Sequence, residues 1–265
     1  MTESALERLL GVMRRLRDPQ GGCPWDLEQT WRSLAPFTLE EAYEVVELLE
    51  RDQLDALKDE LGDLLFQVVF LSQMAAEEGR FTFQDVAAAI ADKLTRRHPH
   101  VFGDASADGD LDQRWDALKA SERQARGQHG ILDDVPLALP ALNRAMKLGK
   151  RAARVGFDWP DAQRARTKVL EELAEFDAAI ASGSAAQMQD ELGDLLQALS
   201  SWARHLQLDP ETALRQANRK LELRFAHMEQ LAAQQGEQLG SLTAQRWDEL
   251  WLQAKHAVVA SEGAG

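Results

Sequence analysis

One cysteine, Cys23, is all the sequence contains, so no disulfide can close within the chain and a reducing, cytoplasmic setting is expected. Long apolar runs are missing as well. The most apolar stretch, Leu64 to Leu71, is interrupted by Gln67, and a bilayer span needs about 20 such residues. Met1 to Leu10 carries Glu3 and Glu7 without an apolar core, so it is not read as an export signal, and a soluble intracellular protein with no membrane partner is expected. Basic residues are in deficit: 30 Lys and Arg stand against 44 Asp and Glu, a formal charge of −14. A surface of that sign repels a nucleic-acid backbone, so no nucleic-acid partner is expected. A bound divalent metal can reverse the sign locally and still admit a small phosphate ligand. Strand-like alternation is absent too, which leaves helices to build the fold.

What is present supports that reading. The apolar share is 45% and the charged share 28%, enough to bury a core. A length of 265 residues predicts about two domains at ~150 each. Helical periodicity and strong helix formers predict helices near 3–17, 38–51, 53–78, 82–97 and 110–125. A second series is expected near 137–154, 160–182, 184–206, 209–235 and 242–258. Thr38-Leu39-Glu40-Glu41 has the form of a capping box, and Asp209-Pro210 puts a proline at a first helical position. His98-Pro99-His100 reads as a helix terminator. Arg126 to Pro136 has two glycines, a proline and no periodicity, and reads as a linker. The expected fold is all-α: two tandem helical bundles, residues 1–125 and 137–265, joined by 126–136.

The chain also repeats itself. Leu39-Glu40-Glu41-Ala42-Tyr43-Glu44 recurs as Leu170-Glu171-Glu172-Leu173-Ala174-Glu175. Asp59-Glu60-Leu61-Gly62-Asp63-Leu64-Leu65 recurs as Asp190-Glu191-Leu192-Gly193-Asp194-Leu195-Leu196. Both pairs are offset by 131 residues. Further on, Lys93, Leu94 and Arg97 match Lys220, Leu221 and Arg224, and Trp115 and Lys119 match Trp251 and Lys255. Each half is one copy of the same domain.

In each copy the first element sets carboxylates at i and i+3 on one helix face, Glu172 with Glu175 and Glu41 with Glu44. The second element does the same with Glu191 and Asp194, and with Glu60 and Asp63. A turn between the two helices makes them antiparallel, and the four acids can then converge. Four oxygen donors without Cys or His suit a hard cation, Mg²⁺ or Mn²⁺. Acidic runs are ordinarily solvated faces, and Glu41 could serve only as the partner of Thr38 in its cap. Two features weigh against that. Asp63 opens a stretch apolar nearly all round, expected to be buried. Gly62 and Gly193 each cost a helix about 1 kcal/mol relative to Ala, which close approach of another group would explain.

Basic residues follow at helical spacing. Lys220 and Arg224 share one face, with Glu222 between them, and so do Lys93 and Arg97. Beside a metal cluster such residues bind phosphate oxygens. Lys168 lies one turn before Glu172. No Glu-x-x-His occurs, which argues against a di-iron bundle.

These motifs together resemble the MazG family of nucleoside triphosphate pyrophosphohydrolases. The likeness extends to Gly22-Cys23-Pro24-Trp25-Asp26, Arg96-Arg97-His98-Pro99-His100-Val101-Phe102 and Val155-Gly156-Phe157-Asp158-Trp159, and covers nearly the full chain. The resemblance implies an all-α homodimer that hydrolyses NTPs and dNTPs to the monophosphate and pyrophosphate with Mg²⁺, for which Mn²⁺ could substitute. It implies Glu172, Glu175, Glu191 and Asp194 as metal ligands, with Glu41, Glu44, Glu60 and Asp63 as a second candidate site. Lys168, Glu171, Glu172, Lys220, Glu222, Arg224, Trp251 and Lys255 are the expected nucleotide-binding residues, and Lys168, Glu171 and Glu172 the catalytic ones. The first copy departs at Phe37, which takes the place of Lys168.

Three functions stay open at this stage: a broad NTP pyrophosphohydrolase, a narrower one acting on dUTP, phosphoribosyl-ATP or a damaged dNTP, and a non-enzymatic regulatory dimer. Acids retained in both copies count against the last. Base selectivity rests on pocket walls that a sequence does not place.

Overall fold

In the computed structural model the described residues are 3–103, 118, 121–122, 127 and 130–262, the last five as backbone only. Every regular element among them is helical, in keeping with two tandem all-α domains. The chain divides into two compact units, Met1–Lys119 and Ala120–Gly265. The expected helix near 110–125, with Trp115 and Lys119, lies mostly outside the described residues.

The N-terminal unit contains helices Ala5–Leu16, Pro24–Glu28, Leu34–Glu50, Leu57–Glu77, Phe83–Arg97 and Pro99–Phe102. Its centre is a hairpin of Leu34–Glu50 against Leu57–Glu77, with Ala5–Leu16 and Phe83–Arg97 packed on the second arm. The C-terminal unit contains Ala141–Ala153, Ala162–Ser182, Ala185–His205, Pro210–Gln234 and Ala244–Glu262, with a 3₁₀ turn at Leu239–Ser241. Its hairpin is Ala162–Ser182 against Ala185–His205, and Ala141–Ala153 packs on the second arm. Both hairpins reverse at the same register. Gly183 (φ 73°) closes the C-terminal turn and Asp52 (φ 54°) the N-terminal one, each in the left-handed region that suits Gly, Asn or Asp.

Local signals set most helix starts. Ser4 with Glu7 and Thr82 with Asp85 form complete capping boxes. Asp161, Ser184 and Asp209 each accept from the backbone N–H groups of their first turns. His98 ends Phe83–Arg97, and Pro99 opens a further short turn. The expected cap at Thr38 is not formed. The helix begins at Leu34, with Pro36 in its first turn where no N–H is needed. Thr38 Oγ1 donates back to Leu34 O at 3.0 Å. Burial of Leu34, 1% exposed, carries the helix one turn earlier than capping suggested.

The helix holding Leu64 to Leu71 is not buried all round. Val69, Phe70, Met74 and Gln67 face inward, whereas Leu61, Leu65 and Val68 are exposed. The inner side joins Met13, Leu34, Val69, Phe70 and Met74 into one core, with Leu9, Leu10, Leu16, Phe37, Phe66 and Phe83 against it. A separate cluster of Met228, Ala232, Leu250 and Ala254 ties the last two helices together.

Candidate functional site

Glu172 and Glu175 lie one turn apart on Ala162–Ser182, and Glu191 faces them from Ala185–His205. Short side chains at the Gly183 turn let the two arms run antiparallel and close. One carboxylate oxygen from each of Glu172, Glu175 and Glu191 can be chosen so that all three lie within 4.8 Å of one another. In the N-terminal hairpin the group so gathered is Glu41, Glu60 and Asp63. The structure thus brings three of the four expected acids together in each copy. Asp194 stands outside its trio and lines the neighbouring cavity with Glu172. Glu44 stands outside the other trio and shares a hydrogen bond with Glu60.

Glu172 is 6% exposed, so its charge is largely withdrawn from water. Lys168 answers it: the ammonium donates to Glu171 Oε1 at 2.7 Å and lies 2.7 Å from Glu172 Oε1. Those two bonds hold the Lys168 pKa above its ordinary value. One cation does not balance the cluster. Glu175 is pushed above the usual carboxylate range, first by a hydrogen bond shared with Glu172, then by burial and the charges of Glu172 and Glu191. Glu41 is raised by burial and then by Asp63 and Glu44. Glu60 is raised by burial and by Glu44. Crowded, partly desolvated carboxyls whose affinity for protons is raised are a donor set that a hard divalent cation fits. With Thr38 excluded as a cap, Glu41 is free for this role.

The C-terminal trio borders a cavity of about 450 Å³. Lys168, Glu172 and Asp194 form its charged side, and Ala145, Gly149, Ala152, Phe157 and Trp159 its apolar one. Arg204 donates to Asp158 Oδ2 at 2.9 Å, and His205 Nε2 lies 3.0 Å from Asp158 Oδ1. Asp158 is held below its ordinary range, chiefly by Arg204. Sequence reasoning missed Arg204, His205 and the cavity walls. Only the Gly156-Phe157-Asp158-Trp159 segment carried a signal, and nothing in the spacing linked it to position 204.

The remaining expected residues form a group of their own. Arg224 lies over the Trp251 ring at 5.5 Å and Lys255 at 5.7 Å from the same ring. Lys220, Glu222 and Lys255 are exposed. None of these five residues lines the cavity beside Glu172. Gly62 and Gly193 have open space where a side chain would stand, so no described residue makes the close approach expected there.

No helix among the described residues is long and apolar enough to cross a membrane. The family model described as the MazG nucleotide pyrophosphohydrolase domain matches residues 29–102 and again residues 161–228. Over 254 residues the chain is 50% identical to the nucleoside triphosphate pyrophosphohydrolase of Escherichia coli (strain K12), covering 94% of this chain and 97% of that protein. It is 42% identical over 249 residues to the nucleoside triphosphate pyrophosphohydrolase/pyrophosphatase MazG of Thermotoga maritima, covering 94% and 95%.

Proposed function

Because the chain belongs to the MazG nucleotide pyrophosphohydrolase family, we infer its chemistry from the site just described. It is a nucleoside triphosphate pyrophosphohydrolase, which converts NTPs to the monophosphate and pyrophosphate. The C-terminal domain is the working copy. The observation that carries this assignment is Lys168 at 2.7 Å from the buried Glu172, a charge the N-terminal domain replaces with Phe37.

Glu172, Glu175 and Glu191 would hold Mg²⁺, or Mn²⁺ in its place, with Asp194 within the same wall. The bound cation would polarise the phosphate chain and lower the pKa of a bound water. The rest falls to this chain's own residues. Lys168 meets the phosphate oxygens at the mouth of the cavity by a charge-assisted bond. Glu171, exposed and tied to Lys168, is placed to orient a water and take its proton. The N-terminal trio of Glu41, Glu60 and Asp63, with Glu44 beside it, is a second candidate metal site.

The chain acts as a homodimer. Leu61, Leu65 and Val68 are exposed at i, i+4 and i+7, and Leu192, Leu196 and Leu199 repeat that pattern. The bare backbone at Gly62 and Gly193 lies in the same rows and allows close packing of a second copy. The Lys220, Glu222, Arg224, Trp251 and Lys255 group then serves the phosphate end of the nucleotide, offered across the pair. The single Cys23 and the nucleotide substrates point to the cytoplasm, and the acidic surface argues against a nucleic-acid partner.

The deciding experiment incubates the protein with a panel of NTPs and dNTPs and Mg²⁺. Release of pyrophosphate is expected; release of orthophosphate alone, or of neither, would overturn the assignment.

A further inference from the structure

The cavity beside Glu172 owes one wall to the connection between Ala141–Ala153 and Ala162–Ser182. Four consecutive residues of it, Gly156, Phe157, Asp158 and Trp159, line the cavity. Gly156, at φ 84°, turns the chain out of the first helix, and its N–H and that of Phe157 donate to Ala153 O and Ala152 O. Beyond that turn a carboxylate ties the connection to the second hairpin arm. Arg204 brings two guanidinium nitrogens to Asp158, Nη1 to Oδ2 at 2.9 Å and Nη2 to Oδ1. His205 Nε2 lies 3.0 Å from Oδ1, and the backbone N–H of Trp159 donates to the same oxygen at 2.8 Å.

This is more than a surface ion pair. The side chains of Asp158, Arg204 and His205 are each less than a quarter exposed, so the charges meet where water screens them poorly. Arg204 leaves its buried Nε without a hydrogen-bond partner among the described residues, a cost that a strongly preferred place for the two Nη groups offsets. Gly149, on the facing helix, gives the guanidinium its room, since a Cβ there would stand 3.3 Å from that Nε. Through the 131-residue register Arg204 and His205 fall at Gln73 and Met74. The copy with Phe37 in place of Lys168 therefore has no cation at either position.

Arg204 and His205 occupy the last turn of Ala185–His205, where the helix dipole favours cations. Arg204 stands ten residues after Asp194, about 15 Å along the helix at roughly 1.5 Å per residue. The clasp is thus remote from the metal cluster on its own helix, while it shares the cavity wall with Lys168 and Glu172.

We propose that Asp158 is a positioning residue. Gripped by Arg204 and His205, it holds Phe157 and Trp159 at the cavity, and so sets how tightly substrate is retained rather than how fast it is cleaved. This inference rests on the pyrophosphohydrolase reading, in which Lys168 meets the phosphate end. It adds the groups that fix the wall met by the rest of the nucleotide.

The test is a split between KM and kcat. Asp158→Asn keeps the size of the side chain and removes its charge. It is expected to raise KM for NTPs by about tenfold, with kcat within about threefold of the wild type. A fold merely weakened would instead lower the active fraction, and with it kcat, at unchanged KM. Inorganic triphosphate meets only the phosphate end and should inhibit variant and wild type alike. Arg204→Gln should show the same split, and the double variant should raise KM no further than the larger single effect, since both changes break one clasp. No pyrophosphate from the wild type with any NTP overturns the reading and this inference with it. Release by the wild type with KM unchanged in Asp158→Asn, or inhibition by triphosphate weakened in the same proportion as KM, overturns this inference alone. Should Asp158→Asn not fold, His205→Gln decides, because it removes one contact and leaves Arg204 in place. It must raise KM by about two- to threefold with kcat held, and an unchanged KM overturns the proposal.

Discussion

Lys168 Nζ lies 2.7 Å from Oε1 of Glu172, one helical turn away, and Glu172 is nearly closed off from water. Among the described residues the pair is the one cation contact in a cluster of carboxylates that raises the Glu175 pKa, chiefly through its hydrogen bond with Glu172. Its counterpart in the other repeat is Phe37 above Glu41, where no cation stands in that register. The two clusters match in sequence but differ in which three acids meet, and in the cation at the Lys168 register.

Removing that charge should be costly. Lys168→Met is expected to lower kcat/KM for NTPs by about 10–150-fold, the equivalent of roughly 1.5–3 kcal/mol for one charge-assisted contact. Steady-state kinetics on the folded variant measures it. A change within twofold would mean Lys168 does not meet the nucleotide.

The two copies should respond unequally. Glu172→Ala or Asp194→Ala is expected to lose nearly all turnover, while Glu41→Ala or Asp63→Ala keeps most of it. Parallel pyrophosphate assays on the four variants decide it, and equal losses would show that the domains share the work.

Divalent metal should be required. Excess EDTA is expected to abolish pyrophosphate release, and added Mg²⁺ or Mn²⁺ to restore it. Calorimetry should also find a higher Tm with metal and nucleotide together, since a ligand that binds only the folded state stabilises it. Full activity in excess chelator would remove the metal assignment.

Stability of the metal-free protein should fall as pH rises above the ordinary carboxyl value of 4.5, because Glu41, Glu60 and Glu175 bind protons more tightly folded than unfolded. Between the ordinary carboxyl pKa and the raised ones, the folded state holds more protons, and that advantage is lost on deprotonation. Saturating Mg²⁺ should flatten this slope, since it replaces the protons. At lower pH the trend reverses. Asp158 and Glu77, held low by Arg204 and Arg17, stabilise the fold only while ionised. Melting curves across pH, with and without metal, test both limbs.

Light scattering at micromolar concentration should give twice the 29.6 kDa chain mass. Leu196→Asp, on the exposed row of the C-terminal hairpin, should shift it toward one chain mass. A monomeric wild type would leave those rows without a second copy.

Much of this protein was legible in its sequence because the information is local or repeated. Helical period, the helix start at Asp209-Pro210, and the 131-residue echo of the acid motifs are all properties of short segments. They determined an all-α chain in two copies, with paired carboxylates on facing helices, and the motif segments around them carried the family. Thr38 shows where local reading stops: burial of Leu34 outweighed a well-formed capping pattern and moved the helix start by a turn.

Tertiary structure alone decided which acids meet, and what lies beside them. Asp194 shares a motif and a helix face with Glu191 yet lines the cavity and stands outside the trio, whereas its counterpart Asp63 joins the trio of the other copy, so spacing along one helix does not decide which acids meet. The chamber exists only where Gly149, Ala152, Ala198, Ser200 and Ser201 converge from separate helices. Each is unremarked in sequence, since a small residue on a helix face says nothing until packing shows whether a large neighbour fills the gap. Volume is a property of several chain segments at once, and no single segment encodes it.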